Sequence, residues 1–205
     1  EHYMYISGTR NTIRNPFAKS EKNSDSDLRS MVDDKLSLIG LRKGETLYFE
    51  IAGFNPGRSP IMGYHGVADS ALKKRYGSQM TYSYGCDPSK HRILVYRITQ
   101  QGPDGNIIEL SQRQLSSRCT ALGLEIVPQL TEAFVYDGNL EKLLSLCEEH
   151  SRGSSTMDDR HIREGVVVRI EGERSTAMKY KSFWFCELEG IRKNDDTYVD
   201  PEEVA

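Results

Sequence analysis

Short apolar runs joined by glycine-containing turns constrain the fold of this chain more than any other feature. The clearest run covers residues 93–99 and is rich in β-branched and aromatic side chains. A Gly-Pro-Asp-Gly turn at 102–105 leads into a second run at 107–110, a pattern typical of a β-hairpin. Because strands joined by short turns pair antiparallel, this order does not fit a regular parallel α/β fold.

Three segments carry apolar residues at helical spacing, at about residues 28–39, 112–122 and 140–150. Ser111 is placed to cap the second helix, and Gly40 and Gly123 are placed to end the first two. Further strands are predicted at 47–53, 124–127, 165–171 and 176–185. We therefore predict an α+β fold of antiparallel sheets flanked by helices, forming a single domain over residues 1–205.

Composition and charge exclude several classes of protein. Of the 205 residues 37% are apolar, and 27 basic against 30 acidic side chains give a net charge of −3. No global field therefore attracts nucleic acid, although positive charge can be concentrated in one cleft. The apolar runs are far shorter than the ~18 residues of a membrane-spanning helix, so no membrane partner is expected. The four cysteines form no Cys-x-x-Cys pair, which argues against zinc and favours an intracellular, cytoplasmic location.

Charged residues within apolar strands mark the candidate site. Glu50 lies inside one predicted strand, and Glu164 opens another. Lys179 and Lys181 alternate in a third strand, so both ammonium groups lie on the same face. Two such lysines repel each other unless an anion, most naturally a phosphate, lies between them. A nearby carboxylate suits a divalent metal or a ribose hydroxyl. The alternative is a solvated strand face without a ligand.

Five segments, taken together, resemble the motifs of the covalent nucleotidyltransferase superfamily, which comprises polynucleotide ligases and messenger-RNA capping enzymes. In chain order they are Ser-Gly-Thr-Arg-Asn at 7–11, Tyr-Phe-Glu-Ile-Ala-Gly at 48–53, Val-Tyr-Arg-Ile at 95–98, Glu-Gly-Val-Val-Val-Arg at 164–169 and Lys-Tyr-Lys at 179–181. The last two together are the most specific. Their wording, with Met-Thr-Tyr-Ser-Tyr-Gly-Cys at 80–86, looks most like the RNA-ligase type.

The resemblance implies a role for each candidate residue. The residues that bind ATP are Arg10 and Glu50 at the ribose, Tyr96 stacked on the purine, and Lys179 and Lys181 at the α-phosphate. Lys179, Lys181 and Glu164 are the catalytic residues, and Glu164 also holds the metal, Mg²⁺ or Mn²⁺. Tyr96 is alternatively a core aromatic residue, and Arg10 a surface arginine.

The fold and activity implied by the resemblance are those of a ligase adenylation domain, an ATP-grasp-like nucleotidyltransferase. Its expected function is to join the 5′-phosphate and 3′-hydroxyl ends of RNA through a lysyl-AMP intermediate, with ATP and RNA ends as partners. The alternatives are a DNA ligase, a capping guanylyltransferase, or a non-catalytic nucleotide- or RNA-binding remnant. No oligonucleotide-binding domain is expected in the short segment after Lys181, which favours the RNA-ligase type.

One motif of the family is missing from this sequence. The nucleophilic lysine of these enzymes lies in a Lys-x-Asp/His-Gly motif ahead of the Ser-Gly-Thr-Arg-Asn segment, and no lysine here has that setting. We expect the nucleophile in a segment upstream of Glu1. The alternatives are a nucleophile supplied elsewhere and a loss of catalysis.

Four further features are secondary candidates. His65 follows the Tyr-Phe-Glu segment and is a candidate for lining the cleft. The Lys-Lys-Arg cluster at 73–75, on a predicted helix, is a candidate contact to a nucleic-acid backbone, with a solvated cluster as the alternative. Trp184 is predicted to be a core or edge residue of its strand, and Arg169 a partner for an acid on an adjacent strand.

Overall fold

The fold is seen in a computed structural model of the chain. The structure describes residues 4–9, 11–13, 24–172 and 176–190. Within them the chain is mixed α+β, with small sheets flanked by helices, which confirms the predicted class at that level. The described residues form two compact units. The first holds residues 4–9, 11–13, 24–61, 86–127 and 171–172, and the second holds residues 62–85, 128–170 and 176–190.

The described part of the chain contains five helices and eight strands. The helices are α1 (Ser24–Ser37), α2 (Ser70–Tyr76), α3 (Gln112–Leu122), α4 (Leu140–Ser151) and α5 (Phe183–Leu188). The strands are β1 (Glu45–Gly53), β2 (His65–Gly66), β3 (Gln79–Met80), β4 (His91–Gln101), β5 (Ile107–Glu109), β6 (Glu125–Ile126), β7 (Gly165–Ile170) and β8 (Thr176–Lys181). None of these helices is long and apolar enough to cross a membrane.

In the first unit, β4 is the strand with which every other strand of the sheet pairs. It pairs antiparallel with β1 and β5, and parallel with β6. The β4–β5 pairing confirms the hairpin predicted from the Gly-Pro-Asp-Gly turn. Helices α1 and α3 cover the sheet with apolar residues at helical spacing, which are Leu28, Val32 and Leu36 of α1 and Leu115 and Cys119 of α3.

Helix α3 is capped by Ser111 and ended by Gly123, as predicted from the sequence. The Ser111 hydroxyl accepts a hydrogen bond from the Gln114 N–H at 3.3 Å, and the Gln114 side chain accepts one from the Ser111 N–H at 2.9 Å. This reciprocal pair is a capping box. At the other end Gly123 has a φ of 65°, the left-handed conformation that ends a helix. Both predicted ends of this helix are confirmed.

An ion pair joins α3 to the start of β1 in the first unit. Arg118 donates from Nε and Nη2 to the two carboxylate oxygens of Glu45, at 2.8 and 2.7 Å. Its Nη2 also donates to the Gly40 carbonyl at 3.1 Å. Both side chains are largely buried. The two parallel hydrogen bonds between guanidinium and carboxylate offset the free-energy cost of burying the two charges.

In the second unit, α4 packs against both strands of the β7–β8 hairpin. A separate apolar cluster surrounds Tyr82, which is completely buried. Its other buried members are Val67, Leu72, Met80, Ile162 and Phe185. The cluster draws on segments far apart in sequence, so it fixes the tertiary structure of this unit.

The predicted strand 176–185 is wrong beyond Lys181. Residues 183–188 form α5 instead, and Ser182 caps it by accepting a hydrogen bond from the Phe185 N–H at 3.2 Å. A serine hydroxyl at this position satisfies an N–H that has no partner in the first helical turn. The cap therefore overrides the strand preference of the aromatic run Phe-Trp-Phe.

Asp158 holds two loop segments of the second unit together. Its carboxylate accepts hydrogen bonds from the Ser83 hydroxyl, from the Gly85 N–H at 3.0 Å and from the Arg160 N–H at 3.1 Å. The Arg160 guanidinium adds two more, at 2.8 and 3.0 Å. Burial alone would raise the pKa of Asp158, but these hydrogen bonds outweigh it and hold the pKa well below its ordinary value.

We expect Asp158→Asn to lower the free energy of unfolding by about 1–3 kcal/mol, because buried donors lose their acceptor. The matched control Asp159→Asn changes an exposed neighbour and should stay within about 0.5 kcal/mol of the unchanged protein. Urea unfolding measures both. Equal stability of the two variants would contradict the role of Asp158.

The stability difference between Asp158→Asn and the unchanged protein should depend on pH. Folding lowers the pKa of Asp158 below its ordinary value of 3.8. Its charge therefore contributes fully above that pH, and the contribution is lost as the pH falls below it. A difference that stays constant from pH 7 to below pH 3.8 would contradict this assignment.

Candidate functional site

The β7–β8 hairpin of the second unit carries the two candidate lysines. Its antiparallel register places Lys181 opposite Gly165 and Lys179 opposite Val167. Since both lysines lie within β8, the predicted alternation is confirmed, and they lie on one face of the hairpin. Lys179 is exposed and Lys181 is half-buried. The hairpin therefore presents two ammonium groups, two residues apart, to the same side.

A close approach of the two strands fixes this register. A Cβ atom on Gly165 would overlap the carbonyl oxygen of Tyr180 and would lie 2.9 Å from Cα of Lys181. Just outside the paired residues, the Glu164 carbonyl accepts a hydrogen bond from the Ser182 N–H at 2.7 Å. The backbone of Glu164 is thus fastened to the residue that follows Lys181. The structure thus places the backbone of Glu164 at the end of the hairpin that carries the two lysines.

Glu164 lies close enough to the buried Tyr82 to act on its titration. Burial, and after it the charges of Glu164 and Glu189, raise the pKa of Tyr82, so its phenol stays protonated at neutral pH. The Nδ1 atom of His65 lies 3.1 Å from the Glu189 carboxylate, and its ring packs edge-on against Tyr82 with centroids 5.2 Å apart. His65 therefore packs at the apolar cluster of the second unit.

In the first unit, Glu50 and Tyr96 lie on the paired strands β1 and β4. Tyr48 is opposite Arg97 and Phe49 is opposite Val95, so the register shifts by one residue and Tyr96 has no opposite residue in this ladder. Such irregularities turn a side chain away from its usual direction, and they are common beside active sites. No pattern in the amino-acid sequence predicts this shift.

The Tyr96 ring is 41% exposed, and its centroid lies 6.4 Å from that of Tyr48. Burial raises the pKa of Tyr96, and the negative charge of the nearby Glu50 raises it further. The Arg97 guanidinium lies over the Tyr48 ring, 4.7 Å from its centroid. Within the first unit the structure thus brings Tyr96 and Glu50 into one neighbourhood with an open aromatic surface.

The remaining nucleotide-binding candidate, Arg10, lies outside the described residues. Of the described residues near it in sequence, the Thr9 N–H donates to the Thr12 carbonyl at 2.8 Å, and the Ser7 hydroxyl donates to the Asp33 carboxylate at 2.9 Å. Glu50, like Lys179, is exposed. Their charges are therefore solvated, and desolvation by itself does not require a ligand at either position.

The chemistry of Glu164 suits a metal that is shared with a substrate. Among the described residues no group of three or more His, Cys, Asp or Glu side chains could enclose a metal ion. Mg²⁺ is usually held by one or two carboxylates, with phosphate oxygens and water completing its octahedron. A single carboxylate fits that pattern, whereas it would not suit zinc or calcium.

Sequence reasoning missed the surface next to Lys181. Arg152 and Arg163 lie there with Phe183 and Trp184, whose rings are 49% and 37% exposed. The prediction of a strand at 183–185 hid this arrangement, because in a strand Phe183 and Trp184 would point to opposite faces. The Ser182 cap, a serine three residues ahead of Phe185, was the signal available in the sequence.

Gly165→Ala tests the close strand approach. The new methyl group meets backbone atoms that no side-chain rotation can move, so the strands must separate, and we expect a loss of about 1–3 kcal/mol in the free energy of unfolding. Gly66→Ala is the matched control, because no atom lies within 4 Å of a Cβ there. Urea unfolding of both variants measures the difference. Equal effects would show that the hairpin tolerates a side chain at Gly165.

Comparisons of the chain with protein-family models, with curated proteins and with solved structures find no match. What can be said of its function therefore depends on its motifs and on the geometry of each unit.

Proposed function

We propose that this protein is an ATP-dependent adenylyltransferase of the RNA-ligase type, which joins 5′-phosphate and 3′-hydroxyl ends through a lysyl-AMP intermediate. One observation carries the proposal. Lys179 and Lys181 lie on one face of β8, and Lys181 pairs with the residue that directly follows Glu164. Two cations on one strand face, with a glutamate at the adjoining end of the same hairpin, are the kinds of group that a metal-bound triphosphate needs.

The two lysines would act on the α-phosphate. In phosphoryl and nucleotidyl transfer, negative charge is carried by the non-bridging oxygens of the reacting phosphorus, and positive groups fixed around them lower the barrier. The ammonium groups of Lys179 and Lys181 are such groups. The backbone pairing at Gly165 and the capped start of α5 on the other side of Lys181 hold this end of β8 in place.

Glu164 would hold the metal. A bound Mg²⁺ or Mn²⁺ neutralises phosphate charge and acts as a Lewis acid on the phosphate oxygens. The Glu164 carboxylate would supply one oxygen ligand, and the hydrogen bond from the Ser182 N–H holds the Glu164 backbone. No second carboxylate is required of the protein, since the phosphates supply oxygen ligands of their own.

Tyr96 and Glu50 would bind the nucleoside part of ATP. The exposed face of Tyr96 suits stacking on a purine, and the solvated Glu50 carboxylate suits the hydroxyls of a ribose. Arg10 takes its role at the ribose and phosphate only from the resemblance. The roles of Tyr96 and Glu50 rest on the motif order, and that of Tyr96 rests also on its half-exposed ring.

The covalent chemistry requires a lysine amine, which the resemblance assigns to a Lys-x-Asp/His-Gly motif that is absent from these 205 residues. Its nitrogen attacks the α-phosphorus, an N–P bond forms, and the bond to the pyrophosphate oxygen breaks while the amine proton leaves. A 5′-phosphate oxygen of the polynucleotide then attacks the phosphorus of the adenylate. A P–O–P bond forms, and the N–P bond to the lysine breaks. Finally a 3′-hydroxyl attacks the 5′-phosphate, AMP leaves, and a phosphodiester bond joins the strands.

Lys181→Ala tests the phosphate contact. With the protein encoded by the full gene, labelled ATP and Mg²⁺, we expect the unchanged protein to form a covalent AMP adduct and Lys181→Ala to form none. Lys142→Ala is the control, because Lys142 is an exposed lysine of the same unit, paired with Asp137. Gel detection of the acid-labile label is the measurement.

Three results of that assay would count against the proposal. If Lys181→Ala formed the adduct in undiminished yield, the proposed contact between Lys181 and the α-phosphate would be excluded. An adduct that forms when labelled GTP replaces ATP, but not with ATP itself, would favour a capping guanylyltransferase. No adduct in the unchanged protein would favour a non-catalytic remnant.

Tyr96→Ala tests the stacking role in the 205-residue chain itself. We expect its affinity for ATP to fall about fivefold or more, the lower limit for losing one stacked base, while Tyr96→Phe keeps the ring and the affinity. Tyr136→Ala removes another half-exposed tyrosine and should change nothing. Equilibrium binding with Mg²⁺ measures all three. Equal affinities of Tyr96→Ala and Tyr136→Ala would exclude stacking on Tyr96.

A further inference from the structure

A groove lies beside Lys181 in the second unit. Lys181 is the one proposed ATP contact among its described lining residues. We call it the α5 groove. It has a volume of about 810 Å³, and the lining residues that matter here are Glu148, Arg152, Arg163, Lys181, Phe183 and Trp184. Sites for small organic molecules cover roughly 300–1,000 Å³, so the groove has room for at least one nucleotide.

The charge of the α5 groove is positive in a protein whose net charge is −3. Among the described residues, Arg152, Arg163 and Lys181 line it, together with one carboxylate, that of Glu148, which is paired with Arg152. Arg163 is held in position by donating to the carbonyls of His150 and Ser154. Its Nε–H is buried and has no acceptor among the described residues. Fixed cations with remaining donor capacity suit phosphate oxygens.

The aromatic residues of the groove are arranged as an open stacking surface. The Phe183 and Trp184 rings stand nearly perpendicular, with an interplanar angle of 87° and centroids 4.9 Å apart. Neither is buried, although both are large apolar side chains that a folded protein usually covers. Two exposed rings beside three cations are the combination that binds single-stranded nucleic acid by base stacking and backbone charge.

We propose that the α5 groove binds an unpaired RNA end, with a base stacked on Phe183 or Trp184 and a backbone phosphate beside Arg152 and Arg163. The proposal rests on the proposed function, because Lys181 lines the groove and would also contact the phosphate of ATP. It adds the surface that leads a polynucleotide end to that lysine. A duplex is a poor occupant, since its bases are already stacked on one another.

Fluorescence anisotropy with a 5′-phosphorylated single-stranded RNA, labelled at its 3′ end, tests the groove in the 205-residue chain. We expect Trp184→Ala to weaken binding about 5- to 150-fold, and Phe183→Ala to weaken it in the same direction. Trp184→Tyr restores a stacking ring and most of the affinity. The control is Phe134→Ala, since Phe134 is 51% exposed in the same unit, like Phe183 at 49%. Circular dichroism confirms that each variant is folded.

The salt dependence of the same binding tests the role of charge. Each phosphate contact to single-stranded nucleic acid contributes about −0.7 to the slope of log K against log salt. We expect Arg152→Ala to make the slope shallower by about that amount, whereas Trp184→Ala lowers affinity at every salt concentration without changing the slope. An unchanged slope in Arg152→Ala would remove Arg152 from the proposed contacts.

The outcomes separate this inference from the proposed function. Equal RNA affinity of Trp184→Ala and Phe134→Ala, or equal binding of a blunt duplex and the single strand, would overturn the groove proposal. ATP binding of the unchanged protein is measured separately and tests the proposed function without bearing on the groove. Trp184-dependent RNA binding without any ATP binding would support the groove and overturn the ligase.

Discussion

The close pairing of β7 and β8 at Gly165 is the constraint on which the candidate site depends. Only a residue without a Cβ allows the backbone of Tyr180 and Lys181 to come so near. This contact sets Lys181 opposite Gly165 and Lys179 opposite Val167. It also leaves Glu164 at the open end of the hairpin, away from the turn that joins the two strands. A glycine with no chemistry of its own therefore positions the charged residues around it.

The end of β8 extends this arrangement to a second surface. Ser182 donates its N–H to the Glu164 carbonyl and its hydroxyl to the Arg163 carbonyl, at 2.7 Å each. The same hydroxyl accepts from the Phe185 N–H and starts α5. One serine thus fastens the backbone of Glu164, ends the strand and starts the helix on which Phe183 and Trp184 lie exposed. The placement of the two candidate lysines and the aromatic groove are consequences of the same local geometry.

The parts of the fold set by local sequence could be predicted, and those set by distant contacts could not. The Ser111 cap, the Gly123 helix end and the β4–β5 hairpin depend on residues within a few positions of each other. Asp158 was missed because its partners Ser83 and Gly85 lie far away in sequence. Within the site, the alternation of Lys179 and Lys181 followed from strand periodicity. The register shift that leaves Tyr96 unpaired, and the packing of His65 against Tyr82, depend on tertiary contacts that periodicity does not encode.

The central claim is that Lys179 and Lys181 contact the phosphates of ATP. Acetylation of lysine amines, followed by mass spectrometry with and without saturating ATP and Mg²⁺, measures this contact residue by residue. We expect ATP to slow the reaction of Lys179 and Lys181 severalfold, because an ammonium group bound to phosphate is a poor nucleophile. The exposed lysines Lys73, Lys74 and Lys142 should react at unchanged rates. Equal reaction rates of Lys179 and Lys181 in the presence and absence of ATP would contradict the claim.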